Sequence, residues 1–328
     1  MITGIGSLPF TDIDRTIDLI FSTSREIPFW PQLPKRSALE NMYTTFLDGV
    51  PCINETKGAV YMDTQDTNGI EEFYENFATE DLDAFAISPE SAPGFYRFLE
   101  RLGEVKDGAR FIKGQLTGPF SMGLGLPDEE GKPVIYNFGY FDIIKKALHM
   151  KAKWMIDRLR RAAPGKEIII FFDEPYMVSF GSAYVSIAKE GATGLFDEVT
   201  GGLEAKRGIH CCGNTDWSVL FNSTIDIVNY DAFNYLETIF YFKEDLLRFL
   251  GRGGWICPGI IPSSEKALEI SLKDIKDLWS TFLAEMVKIN VDATRSEWLF
   301  TTSCGLGNLG EKETEAAMKL LAELSTGL

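Results

Sequence analysis

One histidine and two cysteines are the residues of this chain best suited to metal chemistry. The chain has only two histidines and five cysteines in 328 residues. His210 and Cys212 lie in the run Ile209–Thr215, which reads Ile-His-Cys-Cys-Gly-Asn-Thr. If that run begins as a strand, His210 and Cys212 point to one side and Cys211 to the other, because side chains alternate along a strand. With the distant Cys304, this pair offers imidazole and thiolate ligands for zinc and leaves one coordination position for a substrate.

Composition limits the classes of partner. The net charge is −16, which argues against nucleic acid and anionic lipid, because phosphate contacts need a basic face. No uncharged apolar run approaches the roughly 20 residues that a membrane span needs. The N-terminus lacks the basic and apolar regions of a signal peptide, and the odd number of cysteines is typical of a reducing compartment. We therefore expect a cytoplasmic protein that acts on a small molecule.

Short apolar runs alternate with longer amphipathic stretches, which is the pattern of a parallel sheet with crossover helices. Eight strands are predicted, the number that closes a (β/α)8 TIM barrel, and the whole chain, 1–328, is predicted to be one barrel domain. The predicted strands are Ile2–Gly6, Ala59–Met62, Ala109–Gln115, Ile168–Phe172, Arg207–His210, Ile225–Tyr230, Trp255–Ile260 and Glu297–Thr301. Ala59–Met62 has the weakest strand pattern of the eight.

The segments between these strands favour helices. A long helix is expected from Asp142 to Arg161, where Ala-Ala-Pro-Gly ends it. Apolar residues at three- and four-residue spacing from Ile275 to Ile289 predict another helix before the last strand. Residues 28–58 are rich in proline and polar residues, and we expect a long loop with a helix there.

Polar or conformationally special residues lie at the ends of most predicted strands. In (β/α)8 barrels the carboxyl ends of the strands carry the active site, so this distribution predicts an enzyme with its site at that face. The residues are Ser7, Thr117, Asp173, His210, Asp231, Pro262 and Cys304.

Five short motifs, in this order, resemble the catalytic half of cobalamin-independent methionine synthase. The run from His210 to Thr215 also resembles the zinc-dependent methylcobamide:thiol methyltransferases, which are relatives of uroporphyrinogen decarboxylase. Both groups share one barrel fold, so the resemblance implies that fold as well. The motifs are Ile5–Pro9, Leu116–Pro119, Asp173–Pro175, His210-x-Cys212 and Ser303–Leu306.

The resemblance implies roles for individual residues. His210, Cys212 and Cys304 would bind Zn²⁺ and form the catalytic centre, and Asp231 is the candidate for the acidic ligand that the synthase takes from the next strand. The remaining roles concern homocysteine: Ile5 and Ser7 would contact its amino-acid part, and Asp173 would pair with its ammonium group. Thr117 either lines the substrate or belongs to the turn of a βα connection. Glu174 is either a second functional carboxylate, a salt-bridge partner or a charge at a helix N-terminus.

Two departures from the synthase bear on the methyl donor. The synthase has an additional N-terminal half that helps to hold a polyglutamylated folate, and this sequence contains no counterpart. The motif that supplies a second ammonium contact is also missing, with Glu40 or Glu55 as substitutes. The favoured function is therefore transfer of a methyl group from methylcobalamin, or from a methylated corrinoid protein, to a thiol. Homocysteine is the expected acceptor, which would make the chain an S-methyltransferase of methionine biosynthesis.

Several alternatives stay open at this point. One is a folate-dependent, methionine synthase-like enzyme, and another is a methyltransferase that acts on coenzyme M. A uroporphyrinogen decarboxylase-like lyase is disfavoured, because its polycarboxylate substrate calls for a cluster of arginines that the sequence does not show. A corrinoid-binding protein or zinc-stabilised scaffold without catalysis would instead have four protein ligands and no free metal position.

Overall fold

A parallel sheet of six strands organises the molecule. The structure is a computed structural model that describes residues 1–56, 59–105, 107–292 and 298–327. Two strands, β1 and β2, form a separate antiparallel pair, and β3 to β8 lie in sequence order in one sheet. The strands are β1 Ile53–Thr56, β2 Ala59–Met62, β3 Phe111–Thr117, β4 Glu167–Asp173, β5 Lys206–Cys211, β6 Ile227–Tyr230, β7 Trp255–Ile261 and β8 Thr301–Thr302.

Helices connect the parallel strands and cover the sheet. The longest, α6, ends where Pro164 and the positive-φ Gly165 follow it, because proline cannot continue a helix. The helices are α1 Ile13–Thr23, α2 Thr44–Leu47, α3 Ile70–Ala78, α4 Pro93–Arg101, α5 Pro119–Gly125, α6 Phe138–Ala162, α7 Lys189–Thr200, α8 Trp217–Phe221, α9 Ala232–Tyr235, α10 Lys243–Gly251, α11 Leu272–Lys288 and α12 Glu311–Gly327. Two of them, α6 and α11, confirm the helices expected from the sequence.

The central strands read as continuous apolar runs because both of their faces are covered. In β4, the five residues from Ile168 to Phe172 are all buried, and β3 is buried along its whole length. Most of the core lies between the sheet and the helices. A second, smaller cluster lies on the other face of the sheet and includes Phe111 of β3, Phe171 of β4 and Cys257 of β7.

The sheet is curled. The rings of Phe111 on β3 and Trp255 on β7 have centroids 5.8 Å apart, although three strands separate β3 from β7. Two extended segments lie between the outer strands. Residues 28–30 bond to Lys113 of β3, and Gln32 bonds to Gly6 and Leu8. The backbone of Phe300, next to β8, bonds to Met1 and Thr3.

Most of the predicted strands are confirmed, with boundaries within two residues: Ala109–Gln115, Ile168–Phe172, Arg207–His210, Ile225–Tyr230 and Trp255–Ile260 correspond to β3 to β7. Ile2–Gly6 is extended but is held by isolated bridges rather than a regular ladder. Of Glu297–Thr301, Glu297 lies outside the described residues, and the last strand is Thr301–Thr302.

One prediction about the sheet was wrong. Ala59–Met62 is a strand, but it pairs antiparallel with Ile53–Thr56 and stands apart from the parallel sheet. The position beside β3 is taken by residues 28–32, which were expected to be loop. Pro28 and Pro31 have no N–H to donate, and such residues hide a strand from a search for regular alternation.

A parallel α/β fold is therefore confirmed. Among the described residues, no helix is both long enough and apolar enough to span a membrane.

Candidate metal centre and substrate cavity

A cavity of about 260 Å³ opens at the carboxyl ends of the parallel strands. Residues from distant parts of the chain meet in it, including most of those that the sequence singled out. The lining residues are Ile5, Ser7, Gln32, Pro34, Glu40, Asn41, Met42, Asp173, Pro175, His210, Cys212, Cys304, Gly305, Gly307 and Asn308.

Three potential metal ligands share one wall of this cavity. The ligand atoms of His210, Cys212 and Cys304 all lie within 4.8 Å of one another. His210 is on β5, Cys212 follows that strand, and Cys304 follows β8, so two strand ends supply the group. Cys211 points away from the cavity, as the alternation of side chains along the strand predicted. It is fully buried in the core between the sheet and the helices.

The imidazole of His210 is oriented by the neighbouring strand. Its Nδ1 lies 2.5 Å from Oδ1 of Asn229, the residue opposite it on β6. The amide nitrogen of Asn229 donates to the carbonyl oxygen of Cys257 at 2.7 Å and to Oγ1 of Thr301 at 2.7 Å. Because those acceptors fix the amide, Oδ1 faces the ring, and Nδ1 must carry the proton. Nε2 is then the free ligand atom, and this buried atom has no hydrogen-bond partner in the described part of the chain.

The two thiols next to this imidazole are strongly unequal. A hydrogen bond from the Cys304 thiol stabilises the thiolate of Cys212, as the His210 imidazole would in its protonated form, so the pKa of Cys212 lies well below its usual range. The same contact with the Cys212 sulfur, together with burial, raises the pKa of Cys304. Thiolates and a neutral imidazole are preferred zinc ligands, so this donor set fits Zn²⁺ with three protein ligands.

Asp173 ends β4 beside His210 in the register of the sheet. Burial raises the pKa of Asp173 to about 6, opposed by attraction to His210 and Lys113. Its Oδ1 is shielded from solvent and finds no hydrogen-bond partner among the described residues. A buried carboxylate oxygen without a partner is costly. An ammonium group bound in the cavity would supply the missing partner.

Glu174, the next residue, turns away from the cavity. Its carboxylate accepts hydrogen bonds from the backbone N–H groups of Phe120 at 3.0 Å and Ser121 at 2.7 Å, in the first turn of α5. Of the alternatives open for this residue, the structure supports a carboxyl group placed at a helix N-terminus.

Asp231 lies just after β6 and is not one of the three clustered ligands. Its carboxylate caps α9, accepting from the backbone N–H of Asn234 at 2.9 Å and from the side-chain amide of Asn234 at 2.7 Å. Its role as a fourth ligand remains a prediction.

Another part of the cavity lining, next to the loop of Cys304, is formed by Ile5, Ser7 and a glycine-rich turn. The backbone N–H of Leu306 donates to the carbonyl oxygen of Ser7 at 2.9 Å. A Cβ atom at Gly305 would lie 2.2 Å from Oγ of Ser7, so only glycine fits there without displacing the serine. This contact joins the predicted substrate residue Ser7 to the loop that carries Cys304.

The remaining predicted residues, Thr117, Glu40 and Glu55, differ in whether they line the cavity. Thr117 does not line the cavity, and its hydroxyl donates to the backbone oxygen of Met42, which does. Glu40 lines the cavity, is buried, and accepts from Nε of Arg36 at 2.8 Å. Glu55 lies exposed on β1, outside the cavity. Between the two substitutes suggested for the second ammonium contact, only Glu40 is in position.

Several cavity residues were missed by the sequence analysis. Gln32, Asn41, Met42 and Asn308 line the cavity from segments that read as loop. Asn229, which holds His210, was also missed. A usable signal existed for Asn229 alone, because the ends of neighbouring parallel strands meet and Asn229 is a polar residue in the last two positions of the predicted strand Ile225–Tyr230.

No family model matches the chain, and no curated protein matches it. Among solved structures, the chain is similar to a B12-independent methionine synthase from Shewanella sp. W3-18-1 in complex with selenomethionine. The TM-score is 0.60 at 18% sequence identity, and the match covers 98% of this chain and 96% of that chain. At this identity the likeness establishes the fold. The chain thus has the fold of a methionine synthase.

Proposed function

We propose that this chain is a zinc-dependent methyltransferase that transfers a methyl group to the thiol of homocysteine and so forms methionine. We propose further that the extended segments beside β3 and β8 complete a single (β/α)8 barrel around the cavity. The observation that carries the proposal is the convergence of His210, Cys212 and Cys304 on the same cavity as the unpartnered carboxylate oxygen of Asp173.

The residues divide the work in this proposal. His210, Cys212 and Cys304 hold the metal, with Asp231 as the candidate fourth ligand. Zn²⁺ bound there would lower the pKa of the acceptor thiol and keep it as a nucleophilic thiolate. Asn229 holds a proton on Nδ1 of His210, so that Nε2 is the nitrogen directed at the metal. Asp173 and Glu40 bind the ammonium group, while the Ile5–Ser7 segment contacts the rest of the amino acid.

The charge of the cavity favours an amino-acid thiol over the other acceptors considered. Two carboxylates, Asp173 and Glu40, line it, and no lysine or arginine lines it among the described residues. A sulfonate such as that of coenzyme M, or a polycarboxylate tetrapyrrole, would need basic partners. Within the described ranges three ligands cluster beside an open cavity, which argues against a closed, purely structural zinc site.

The comparison with known structures changes the expected methyl donor. The sequence analysis favoured a corrinoid, partly because the chain has no counterpart of the synthase's additional half. The similar solved structure is described as B12-independent, and this chain covers 96% of it. A methylated folate, the alternative donor, is therefore the better-supported choice, and nothing supports a corrinoid protein as partner.

A methyl-transfer assay tests the proposal. Zinc-loaded protein receives homocysteine with methyltetrahydrofolate or, separately, with methylcobalamin, and methionine is measured. We expect methionine from the folate donor. Cys212→Ser should abolish it and release zinc, whereas the matched Cys211→Ser variant should retain zinc and activity, because Cys211 lies in the core. Transfer from methylcobalamin alone would overturn the donor, and no methionine from either donor at stoichiometric zinc would overturn the proposed function.

A further inference from the structure

A lysine is buried inside the curled sheet directly beneath the cavity. Lys113 of β3 has no solvent exposure. Its ammonium group donates to the carbonyl oxygen of Ile5 at 2.7 Å and to Oε1 of Gln115 at 3.1 Å. It also lies 4.6 Å from the ring centroid of Phe171. No carboxylate approaches within ion-pair distance of it among the described residues, which is unusual because buried lysines are generally paired.

Gln115 extends these contacts to the neighbouring segment, Trp30–Gln32, which bonds to Gly6 and Leu8. Its amide nitrogen donates to the carbonyl oxygen of Trp30 at 2.9 Å and to Oε1 of Gln32 at 3.2 Å. A Cβ atom at Gly6 would lie 2.6 Å from the Gln115 amide, so the chain beside Ile5 packs tightly on it. Lys113 and Gln115 therefore touch both the Ile5–Ser7 wall and the Gln32 wall.

We propose that Lys113 is a positioning residue, which acts with Gln115 to hold the adjacent Ile5–Ser7 and Gln32 walls of the cavity in place over the interior of the sheet. Both walls belong to segments that are joined to the sheet by isolated bridges rather than regular ladders. Side-chain contacts from the rigid strand β3 therefore add to the backbone bonds of these segments and fix the carbonyl group of Ile5 and the side chain of Gln32. The consequence for homocysteine binding rests on the function proposed above.

The charge of Lys113 agrees with this role. Burial lowers the pKa of Lys113 to about 8, while attraction to Asp173 and Cys257 opposes the shift. The ammonium group thus places a positive charge beneath a cavity whose lining carries two carboxylates. Its hydrogen-bond acceptors among the residues that the structure describes are Ile5 and Gln115.

The chain offers a matched control in Lys151 of α6. This lysine is also buried, and it donates to a backbone oxygen, that of Asp48, at 2.6 Å. Burial lowers its pKa to about 8 as well. Lys151 does not line or touch the cavity, so Lys151→Met reports the cost of removing a buried ammonium group elsewhere in the fold.

Hydrogen exchange tests the positioning role without any substrate. Lys113→Met keeps the length of the side chain and removes its donors. We expect amide exchange at Leu8 and Gln32, whose N–H groups join the two walls, to accelerate by about tenfold or more in Lys113→Met and to stay unchanged in Lys151→Met. Unchanged exchange in Lys113→Met, or equal acceleration in both variants, would overturn the inference.

Calorimetric titration of homocysteine into zinc-loaded protein tests the consequence. We expect Lys113→Met to bind full zinc and to raise the Kd of homocysteine about tenfold or more, and Lys151→Met to leave the Kd unchanged. Equal affinity of Lys113→Met and wild type would refute the role of Lys113. If wild type itself fails to bind homocysteine while the exchange result holds, the proposed function fails and the positioning role stands.

Discussion

Asn229 and His210 face each other on neighbouring strands, and their hydrogen bond decides which imidazole nitrogen faces the cavity. The amide of Asn229 is fixed by Cys257 and Thr301, so its oxygen accepts a hydrogen bond from Nδ1, and Nε2 is the nitrogen without a proton in the neutral ring. Outer partners of this kind set the tautomer and orientation of metal-binding histidines. The buried side-chain amide of Asn229 therefore fixes the orientation of His210 for metal binding.

Asp173 should act on the substrate rather than on the metal. Replacing it with asparagine removes a charged hydrogen bond of about 2 kcal/mol to the ammonium group, which corresponds to a rise in KM for homocysteine of roughly 10- to 100-fold. Zinc content should not change, because Asp173 is not one of the clustered ligands. Steady-state kinetics and metal analysis of Asp173→Asn check both statements, and loss of zinc in this variant would contradict the assignment.

The residue types in the sequence predicted the metal ligands of this site more readily than the buried side chains that hold the cavity in place. His210, Cys212 and Cys304 were predicted together because few residue types bind zinc and this chain has few of them. Lys113 and Gln115 alternate along β3 like the polar side of an ordinary strand. Only the curl of the sheet shows that this polar side faces a closed interior, and single-sequence patterns do not encode that curvature.

At the scale of elements, the apolar strands were predictable because burial on both faces leaves a continuous signal, as in β4. The extended segment 28–32 was not predictable, because its prolines are typical of a loop. In the structure it is joined to its neighbours by isolated bridges rather than a regular ladder. The reverse error occurred at Ala59–Met62, where a correct strand was assigned to the wrong sheet. Local alternation predicts that a strand forms, but its partner is set by contacts far away in the sequence.

The junction between β4 and α5 should give the protein a measurable pH dependence. Burial raises the pKa of Glu174 from 4.5 to about 8, although the N–H groups of Ser121 and Phe120 oppose the shift. In the unfolded chain the carboxyl group ionises near its ordinary pKa, so unfolding releases a proton between the two values. The stability contributed by this group is therefore complete below about pH 4.5 and declines until about pH 8.

Glu174→Gln removes that titration. The difference in unfolding free energy between wild type and this variant should decrease steadily from about pH 5 to about pH 8, as urea denaturation at several pH values would show. Glu90→Gln, at an exposed glutamate, serves as the control for the same substitution at the protein surface. A difference that is constant or grows with pH for Glu174→Gln would mean that the carboxylate is ionised at the helix N-terminus.

At the scale of the whole molecule, two properties bear on the cavity. The curling of the sheet brings its lining residues together, and the net charge of the chain determines which ligands are repelled. Residues separated by almost 300 positions, Ser7 and Gly305, meet because the first extended segment returns to the end of β8. Around this cavity the chain carries a net charge of −16. A zwitterionic amino acid is nearly indifferent to such a field, whereas a polyanionic donor is repelled by it.

Salt should therefore separate the two substrates. Raising the ionic strength from about 0.01 M to about 0.15 M shortens the Debye length from about 30 Å to about 8 Å and so screens the repulsion. If a methylated folate is the donor, the KM for its polyglutamylated form should fall several-fold, while the KM for homocysteine should change by less than about twofold. The monoglutamylated donor is the control and should respond less, because it carries fewer charges. A KM for the polyglutamylated donor that rises with salt would instead reveal a basic groove near the cavity mouth, since attraction to such a groove is what salt would weaken.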